Sequence, residues 1–397
     1  MTSLASFQQS ALDLLERQHK SPHFKKALSK YPVTGEGLPH VDYTARKNEL
    51  LFVDGHFAPH LSCEIAAKEE ELLVFPLEEA YPLYTPLIDL HMQVALQQTS
   101  PFALFAVGAA KTPLLLHIEE GENVEIDLVY LQTRSHLFSP ICLQVYLEKE
   151  ARCSVTTRIV SKEKNLEGCL SQHISVSLEK QSTLSWCDQM TYNGVGGTIA
   201  SAFYGSLQGG AQLRKTSIHA QAERSEEHVH LTLFGKEAHA AVSSLLLPQG
   251  AMRAHLAVTA EHAHPEARSS QQIKTLGADA SKTHFSGKIY VHAEAQKTEA
   301  YQQHQSLLLS EEASVCSEPN LEIFADDVKA SHGATIASFE EEALFYLQSR
   351  GMSLGQAKSL LAKAFCREVL DAFPKRLQTP WQGFVEKFVG SHAHSND

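Results

Sequence analysis

Histidines are the residues of this sequence that most strongly suggest chemistry. The chain of 397 residues contains 22 of them, and a neutral imidazole ring is the commonest metal ligand in proteins. A metal site would require three or four rings to converge, whereas on spacing alone each ring is more simply an exposed or hydrogen-bonded side chain. The candidates in the second half of the chain are His255, His262, His264, His284, His292, His304 and His332.

Adjacent carboxylates and isolated thiols are the next candidates. Asp326 and Asp327 could transfer protons or bind a metal, but neighbouring residues of a strand point to opposite faces, so a turn is expected there. Cys316 is expected in a turn before Pro319, where its thiol could be reactive. Cys366 follows a core position of an expected helix, which favours a structural role. No two cysteines are spaced C-x-x-C, which excludes a zinc ribbon and a thioredoxin-type redox site.

Several function classes lack their sequence signatures. The chain contains no P-loop, nucleophile elbow, H-E-x-x-H motif or dinucleotide-binding glycine motif, so ATP hydrolysis by this chain alone is not expected. Its 46 acidic residues exceed its 34 basic ones, which argues against a general nucleic-acid-binding protein. No apolar stretch is long enough to span a membrane, and no signal-like segment opens the sequence. Together with the scattered cysteines, these features lead us to expect a cytoplasmic protein.

The elements that must position these side chains are mostly short strands. Residues 48–336 alternate apolar and polar side chains in short pieces, and turns of similar composition recur about every 27 to 31 residues. This repeat predicts a β-solenoid, in which stacked coils bury one continuous core. A β-sandwich is the alternative, although this region would be large for one sandwich. No helical period occurs in the region, so no helices are expected within it.

Helical regions are predicted at both ends of the chain, over residues 1–47 and 337–397. In the first, an amphipathic helix begins at Leu4. A second short helix is expected at 23–29, followed by a linker rich in proline and glycine at 31–39.

The C-terminal region carries clear helix boundaries. Capping boxes are expected at Ser338–Glu341 and Ser353–Gln356, with Gly351 ending the first of the two helices. Pro374 is expected to end the second helix, and a third amphipathic piece is expected at 380–389. The apolar face of the second helix is predicted to consist of Ala357, Leu360, Leu361, Ala364 and Phe365.

The stretch from Ser281 to Arg350 carries a dense series of motifs. They include Phe285–Ile289, Ala325–Lys329 and Ser331–Thr335. In this order they resemble the C-terminal core of the SufB/SufD family of the Suf iron–sulfur cluster assembly system. The sequence His332-Gly-Ala-Thr is similar to the SufD branch, whereas the SufB branch typically has H-E-A at this place.

The resemblance implies a fold and a set of partners. The family fold is mainly β, a right-handed parallel β-helix flanked by helical N- and C-terminal regions, in agreement with the repeat. The chain would then be a non-catalytic scaffold subunit that pairs with a SufB-like subunit and binds a SufC-like ABC ATPase. It would hold no tightly bound cofactor alone, and iron or an iron–sulfur cluster would form transiently at the interface with the SufB-like partner. A homodimer of the isolated chain is also plausible, because a solenoid ends in an unpaired edge.

The same resemblance assigns roles to individual residues. His332 corresponds to the histidine implicated in the cluster site of the family. Many family members have a cysteine two residues earlier, where this chain has Ala330, so the sulfur ligands would come from the partner. The ATPase would bind the C-terminal helices, which carry more apolar side chains than their own packing needs. The side chains expected at that surface are Phe339, Leu344, Phe345, Leu354 and Phe365.

Two other functions stay open at this point. A carbohydrate lyase or hydrolase of the parallel β-helix type would gather acidic or basic side chains in an exposed groove, but no such set can be assigned from the sequence. A histidine metalloprotein acting alone would hold stoichiometric metal without partners.

Overall fold

The fold is a two-sheet parallel solenoid flanked by helices. The computed structural model describes residues 4–18, 27, 29–30, 43–46, 48–62, 72–96, 100–161, 167–192 and 196–392. The parallel β-helix predicted from the repeat is confirmed, and the sandwich alternative is set aside because nearly all strand pairs are parallel. The predicted second helix at 23–29 lies outside the described residues except for two positions, and the linker at 31–39 lies wholly outside them.

The strands alternate between the two sheets along the chain. Their bounds are β1 Glu49–Val53, β2 His56–Phe57, β3 Leu72–Pro76, β4 Leu114–Ile118, β5 Asn123–Gln132, β6 Leu137–Leu147, β7 Arg152–Ser161, β8 Gly168–Leu178, β9 Thr183–Thr191, β10 Thr198–Leu207, β11 Gln212–Ala220, β12 Arg224–Leu233, β13 His239–Leu247, β14 Arg253–His262, β15 Arg268–Gly277, β16 Lys282–Val291, β17 Thr298–Leu308, β18 Ser314–Ile323 and β19 Val328–Ala337.

Each coil contributes one strand to each sheet. Sheet I has the order β19-β17-β15-β13-β11-β9-β7-β5-β1-β2, and sheet II has the order β18-β16-β14-β12-β10-β8-β6-β4-β3. Only the pairs β1–β2 and β3–β4 are antiparallel among the described strands. Because successive side chains of a strand alternate between faces, in-register coils stack their inward residues into columns. A continuous apolar core of Leu, Ile, Val and Phe side chains fills the interior over most of the solenoid.

Six helices of the described chain flank the solenoid. They are α1 Leu4–Gln18, α2 Leu77–Leu96, α3 Pro101–Ala109, α4 Glu341–Ser349, α5 Leu354–Leu370 and α6 Lys375–His392. Helices α1 to α3 pack together against the outer face of sheet II at β6, β8 and β10. Helix α5 packs against the outer face of sheet I at β13 and β15. Within the described residues, no helix combines the length and apolar character required to cross a membrane.

The expectation that residues 48–336 hold no helix is wrong, since α2 and α3 lie between β3 and β4. Helix α2 contains Pro82 and Pro86 and has a non-helical backbone at Tyr84, so its apolar pattern is broken. Helix α3 is buried on every side from Pro101 to Val107, and a helix buried all round shows no amphipathic period. In both helices, the sequence lacks the regular spacing of apolar residues that would predict a helix.

The predicted boundaries of the C-terminal helices are partly confirmed. The capping box at Ser353 and Gln356 is present, and Gly351 has a φ of +92°, the left-handed conformation expected after a helix end. The capping box expected at Ser338 is wrong, because α4 begins at Glu341 and its N-cap, Glu340, makes no side-chain bond. The third predicted helix is confirmed and is longer than expected, and α5 ends at Leu370, before Pro374.

The buried face of α5 is rotated by about one residue from the predicted face. Ala357 is buried as expected, but Ala364 is exposed and Leu360 is 45% exposed. The rotation turns Cys366 into the core, where burial raises the pKa of its thiol to about 12, so the structural role expected for it is confirmed. The buried side chains are Ala357, Ala362, Cys366, Val369 and Leu370.

Candidate functional site

The solenoid ends in an open coil formed by β18 and β19. Each of these strands pairs with one neighbour only within the described chain, β18 with β16 and β19 with β17. Residues of β19 that are in phase with buried residues of β17 are therefore exposed. His332 pairs with Gln302 and Ile336 with Ser306; Gln302 and Ser306 are buried, whereas His332 and Ile336 are exposed.

His332 lies at the end of one inward column of sheet I. The side chain directly behind it, Gln302, is 3% exposed, and neither its amide nitrogen nor its amide oxygen has a hydrogen-bond partner. One coil further in, Gln271 donates from its amide nitrogen to the Lys288 carbonyl at 3.2 Å, while its oxygen is unpaired. A buried amide without a hydrogen-bond partner destabilises the fold. The end of this column therefore has unsatisfied polar groups in its interior. The column comprises Trp186, Lys215, Val242, Gln271, Gln302 and His332.

Gly287 makes room for Gln302 inside the coil. A Cβ atom at Gly287 would lie 1.6 Å from the Gln302 amide nitrogen, so no larger residue fits without displacing that side chain. The glycine of the sequence motif Phe285–Ile289 is therefore explained by packing, because it leaves space for the side chain that lies directly behind His332.

His332 stands alone as a potential metal-ligating side chain at this end of the column. Within the described residues, it does not belong to any group of three metal-ligating side chains. Ala330 also has an inward phase and packs against a small apolar cluster that includes Ala300 and Ile289, so it adds no donor atom. A metal or cluster at this place would take its other ligands from outside the chain.

Most of the other candidate histidines serve separate local interactions. His262 and His304 are buried inside the solenoid, where burial lowers the pKa of each to about 4. His262 Nε2 lies 2.7 Å from the Ser269 hydroxyl, His292 pairs with Glu261, and His264 is exposed. Of the seven candidates, His255 and His284 stack on each other on the outer face of sheet II, with ring centroids 5.0 Å apart.

The adjacent carboxylates Asp326 and Asp327 and the thiol of Cys316 are all exposed. Asp326 and Asp327 lie between β18 and β19, as expected for a turn, and the Asp327 N–H donates to Gln296 Oε1 at 2.9 Å. The expectation of a turn at Cys316 is wrong, because this residue lies within β18 with its side chain on the outer face. Pro319 is accommodated there because β18 is an edge strand.

A buried charged network in the interior was missed by the sequence analysis. Lys215 Nζ lies 2.8 Å from Asp188 and 2.6 Å from Glu227, and Glu227 also lies 2.9 Å from His219 Nε2. Burial alone would lower the pKa of Lys215, but the two carboxylates raise it above its ordinary value. Burial alone would raise the pKa of Glu227, but Lys215 and His219 hold it below its usual range. The signal that could have revealed the network is charge at inward positions of β11 and β12.

The C-terminal helices expose apolar side chains unevenly. Phe345 on α4 is 74% exposed, and α4 has no buried residue. Phe339, Leu344, Leu354 and Phe365 are half-buried. Phe365 lies under the Lys274 ammonium, 4.7 Å from the ring centre, and packs with Phe339 at the edge of the α5–α6 core. Of the five predicted partner residues, Phe345 is thus the one with a largely free ring.

Comparison with known proteins identifies the family. A sequence family described as the SUF system FeS cluster assembly SufBD core domain matches residues 143–365. The chain is 28% identical to the Escherichia coli iron–sulfur cluster assembly protein SufD, over 81% of this chain and 74% of that protein. It is 46% identical over 114 residues to the chloroplastic protein ABCI7 of Arabidopsis thaliana. It is 42% identical over 111 residues to a SufBD family assembly protein of Synechocystis. The last two matches span 28% of this chain and 24% of each relative.

The family match begins within β6, covers all strands to β19 and ends within α5. It therefore includes the two strands of the open coil. The resemblance seen in the motifs around His332 is confirmed by this match. The chain therefore belongs to the SufBD core family of the SUF system for iron–sulfur cluster assembly.

Proposed function

We propose that the chain is a non-catalytic scaffold subunit of an iron–sulfur cluster assembly complex. The observation that carries this proposal is the open terminal coil, which presents His332 beside two unpaired strand edges. Free strand edges are templates for pairing with another chain. A partner that extends the solenoid at β18 and β19 would cover His332 and bring its own side chains next to it.

The partner that fits this surface is a SufB-like subunit. His332 offers one nitrogen donor, and Ala330 offers none, so thiolate ligands for iron or a cluster would come from the partner. Imidazole and thiolate together suit iron. In this arrangement iron or the cluster is cargo that forms at the interface and leaves it, and the isolated chain holds none tightly.

The second proposed partner is a SufC-like ABC ATPase that binds the C-terminal helices. The exposed ring of Phe345 on α4 is the strongest anchor, because large aromatic side chains carry much of the energy of protein interfaces. Phe339, Leu344, Leu354 and Phe365 would form the half-buried floor of the same surface. Movement of the ATPase would reach the open coil directly, since only residues 338–340 separate α4 from β19.

The test is co-purification with the SufB-like and SufC-like subunits of the same cell, followed by cluster reconstitution. We expect His332→Ala to keep the three-subunit complex and lose cluster formation, while the control His264→Ala, at an exposed loop histidine, retains both. We expect Phe345→Ser to lose the ATPase and retain the SufB-like subunit. Purification of the chain without these subunits, or full cluster formation by His332→Ala, would contradict the proposal. Activity on a polysaccharide would favour the enzyme alternative, which the family match does not support.

A further inference from the structure

The outer face of sheet II carries a row of metal-ligating side chains that the scaffold role does not use. Helix α3 packs on this face at β6, β8 and β10, and the outward residues of β12, β14, β16 and β18 are mostly polar. Because the strands are parallel and in register, four such side chains stand side by side on consecutive coils. We call them the outer row, which consists of Glu226, His255, His284 and Cys316.

Three potential ligands meet at the first end of the outer row. Glu226, His228 and His255 each offer one donor atom, and these atoms lie within 4.8 Å of one another. His228 Nε2 is 3.1 Å from Glu226 Oε1, and the rings of His228 and His255 meet edge to face with centroids 5.2 Å apart. Zinc makes bonds of about 2.0–2.2 Å with nitrogen and oxygen, so one ion placed between these atoms could contact all three.

The three groups are largely withdrawn from solvent. Glu226 is 7% exposed, and His228 and His255 are half-buried. Side chains that the surrounding structure already holds in place lose little further freedom when they bind a metal.

The charges around the group select the kind of metal. Arg224 donates to Glu226 Oε2 at 3.0 Å, and Arg253 and Lys282 stand in register with it on the next two coils. These cations repel every divalent ion, and Mg²⁺ and Ca²⁺, which prefer oxygen ligands, gain little from the two imidazole rings in return. First-row transition metals bind imidazole strongly, and two histidines with one carboxylate are a donor set used for Fe²⁺ with open coordination positions.

We propose that Glu226, His228 and His255 bind one divalent first-row transition-metal ion on the outer face of sheet II. This site is on the opposite sheet from His332 and requires no partner subunit.

A neighbouring group, His284, Cys316 and Glu318, also has its donor atoms within 4.8 Å but is a poorer site. Cys316 and Glu318 are exposed, and desolvation together with the adjacent Glu318 raises the pKa of the Cys316 thiol. Exposed side chains are less fixed in position than the buried Glu226 of the first group. Glu226, His228 and His255 are therefore the better candidate for a metal site.

The experiment is a titration of the purified, chelator-stripped full chain with Co²⁺, followed by visible absorption of the bound metal. The wild-type chain, His264→Ala and His332→Ala are expected to bind one equivalent with the same affinity. His255→Ala and Glu226→Gln are expected to bind at least about tenfold more weakly, since changes even in the residues that support a ligand have effects of this size. Mg²⁺ in excess is expected not to compete. Circular dichroism and thermal unfolding confirm that each variant is folded.

Two results would overturn the inference. One is Co²⁺ binding by folded His255→Ala and Glu226→Gln with wild-type affinity. The other is a thiolate-to-Co²⁺ charge-transfer band that Cys316→Ser removes, which would place the metal at the neighbouring group. Because the titration uses the isolated chain, it is independent of the scaffold role. Loss of cluster formation in His332→Ala and loss of Co²⁺ binding in His255→Ala are separate outcomes.

Discussion

At the scale of single residues, the buried pair of Lys215 with Glu227 gives a direct prediction. Removing one partner of a buried ion pair leaves an uncompensated charge, which typically costs about 3–5 kcal/mol. We expect Lys215→Met to lower the free energy of unfolding by that amount at pH 7. Lys149→Met is the matched control, because Lys149 makes its ion pairs with Glu120 and Glu150 at the surface, and its stability is expected to stay close to wild type.

The pH dependence separates this cause from a simple packing defect. In the wild type, Lys215 holds the pKa of Glu227 below its ordinary value, which stabilises the fold above the unfolded-state pKa of about 4.3. In Lys215→Met the same buried carboxylate is expected to have a raised pKa, so the variant gains stability relative to wild type as the pH falls from 7 towards 5. Urea unfolding at both pH values measures this. A stability loss that does not change with pH would contradict the electrostatic explanation.

The roles of single residues could be predicted only in part from the sequence. His332 was found through the family motifs, and alternation within β19 places it on the inward face. The sequence predicts that the strands end at residue 336, but it does not show that the described helices leave this last coil uncovered, which is what exposes His332. Lys215 and Glu227 were missed because the inward residues of β11 after Leu213 are the polar Lys215, Ser217 and His219, so an alternation of apolar and polar residues does not mark them as inward. The convergence of His228 with Glu226 and His255 depends on coil register, which the approximate repeat does not fix.

At the scale of elements, the two capping boxes expected from sequence form a natural pair for testing. Ser353 accepts from the Gln356 N–H and Gln356 bonds back to the Ser353 N–H, whereas Ser338 stands outside α4. Loss of an N-cap hydroxyl costs about 1 kcal/mol. We therefore expect Ser353→Ala to destabilise the protein by that amount and Ser338→Ala to leave it unchanged. Urea unfolding and hydrogen exchange of the first-turn amides of α5 measure both, and equal effects would contradict the assigned helix starts.

A helix that is buried on all sides could not be predicted from its own sequence, because it has no exposed polar face. The strands were found because one face of each is regular along many coils. Helix α3 gave no period because sheet II and α1 bury it from opposite sides. The buried face of α5 is set by its contacts with α6, β13 and β15. Packing partners that lie far away in sequence decided these features, and local patterns carry no information about them.

At the scale of the whole molecule, the solenoid follows from its repeat, while its ends do not. One end finishes in the antiparallel strands β2 and β3, beside buried core residues such as Leu50, Phe52 and Leu72, and helices cover part of each outer face. The other end is left open at β18 and β19. A chain that builds a regular interior and leaves one end uncovered is suited to extension by another chain of the same kind.

The open end should make the isolated chain associate with itself. Ile336 is 52% exposed and is in phase with the inward Ser306, so pairing of two terminal coils would bury it. We expect light scattering after size-exclusion chromatography to show a concentration-dependent dimer of the wild type, and Ile336→Lys to give a monomer, because an ammonium group in the joined interior would be buried without a partner. Phe345→Lys is the control, since it places the same charge on an exposed apolar residue of α4, outside the two strands of the open coil, and it should dimerise as the wild type does. If Ile336→Lys still formed a dimer, the chain would associate through a surface other than the terminal coil. The same conclusion would follow if Phe345→Lys were a monomer while Ile336→Lys was not.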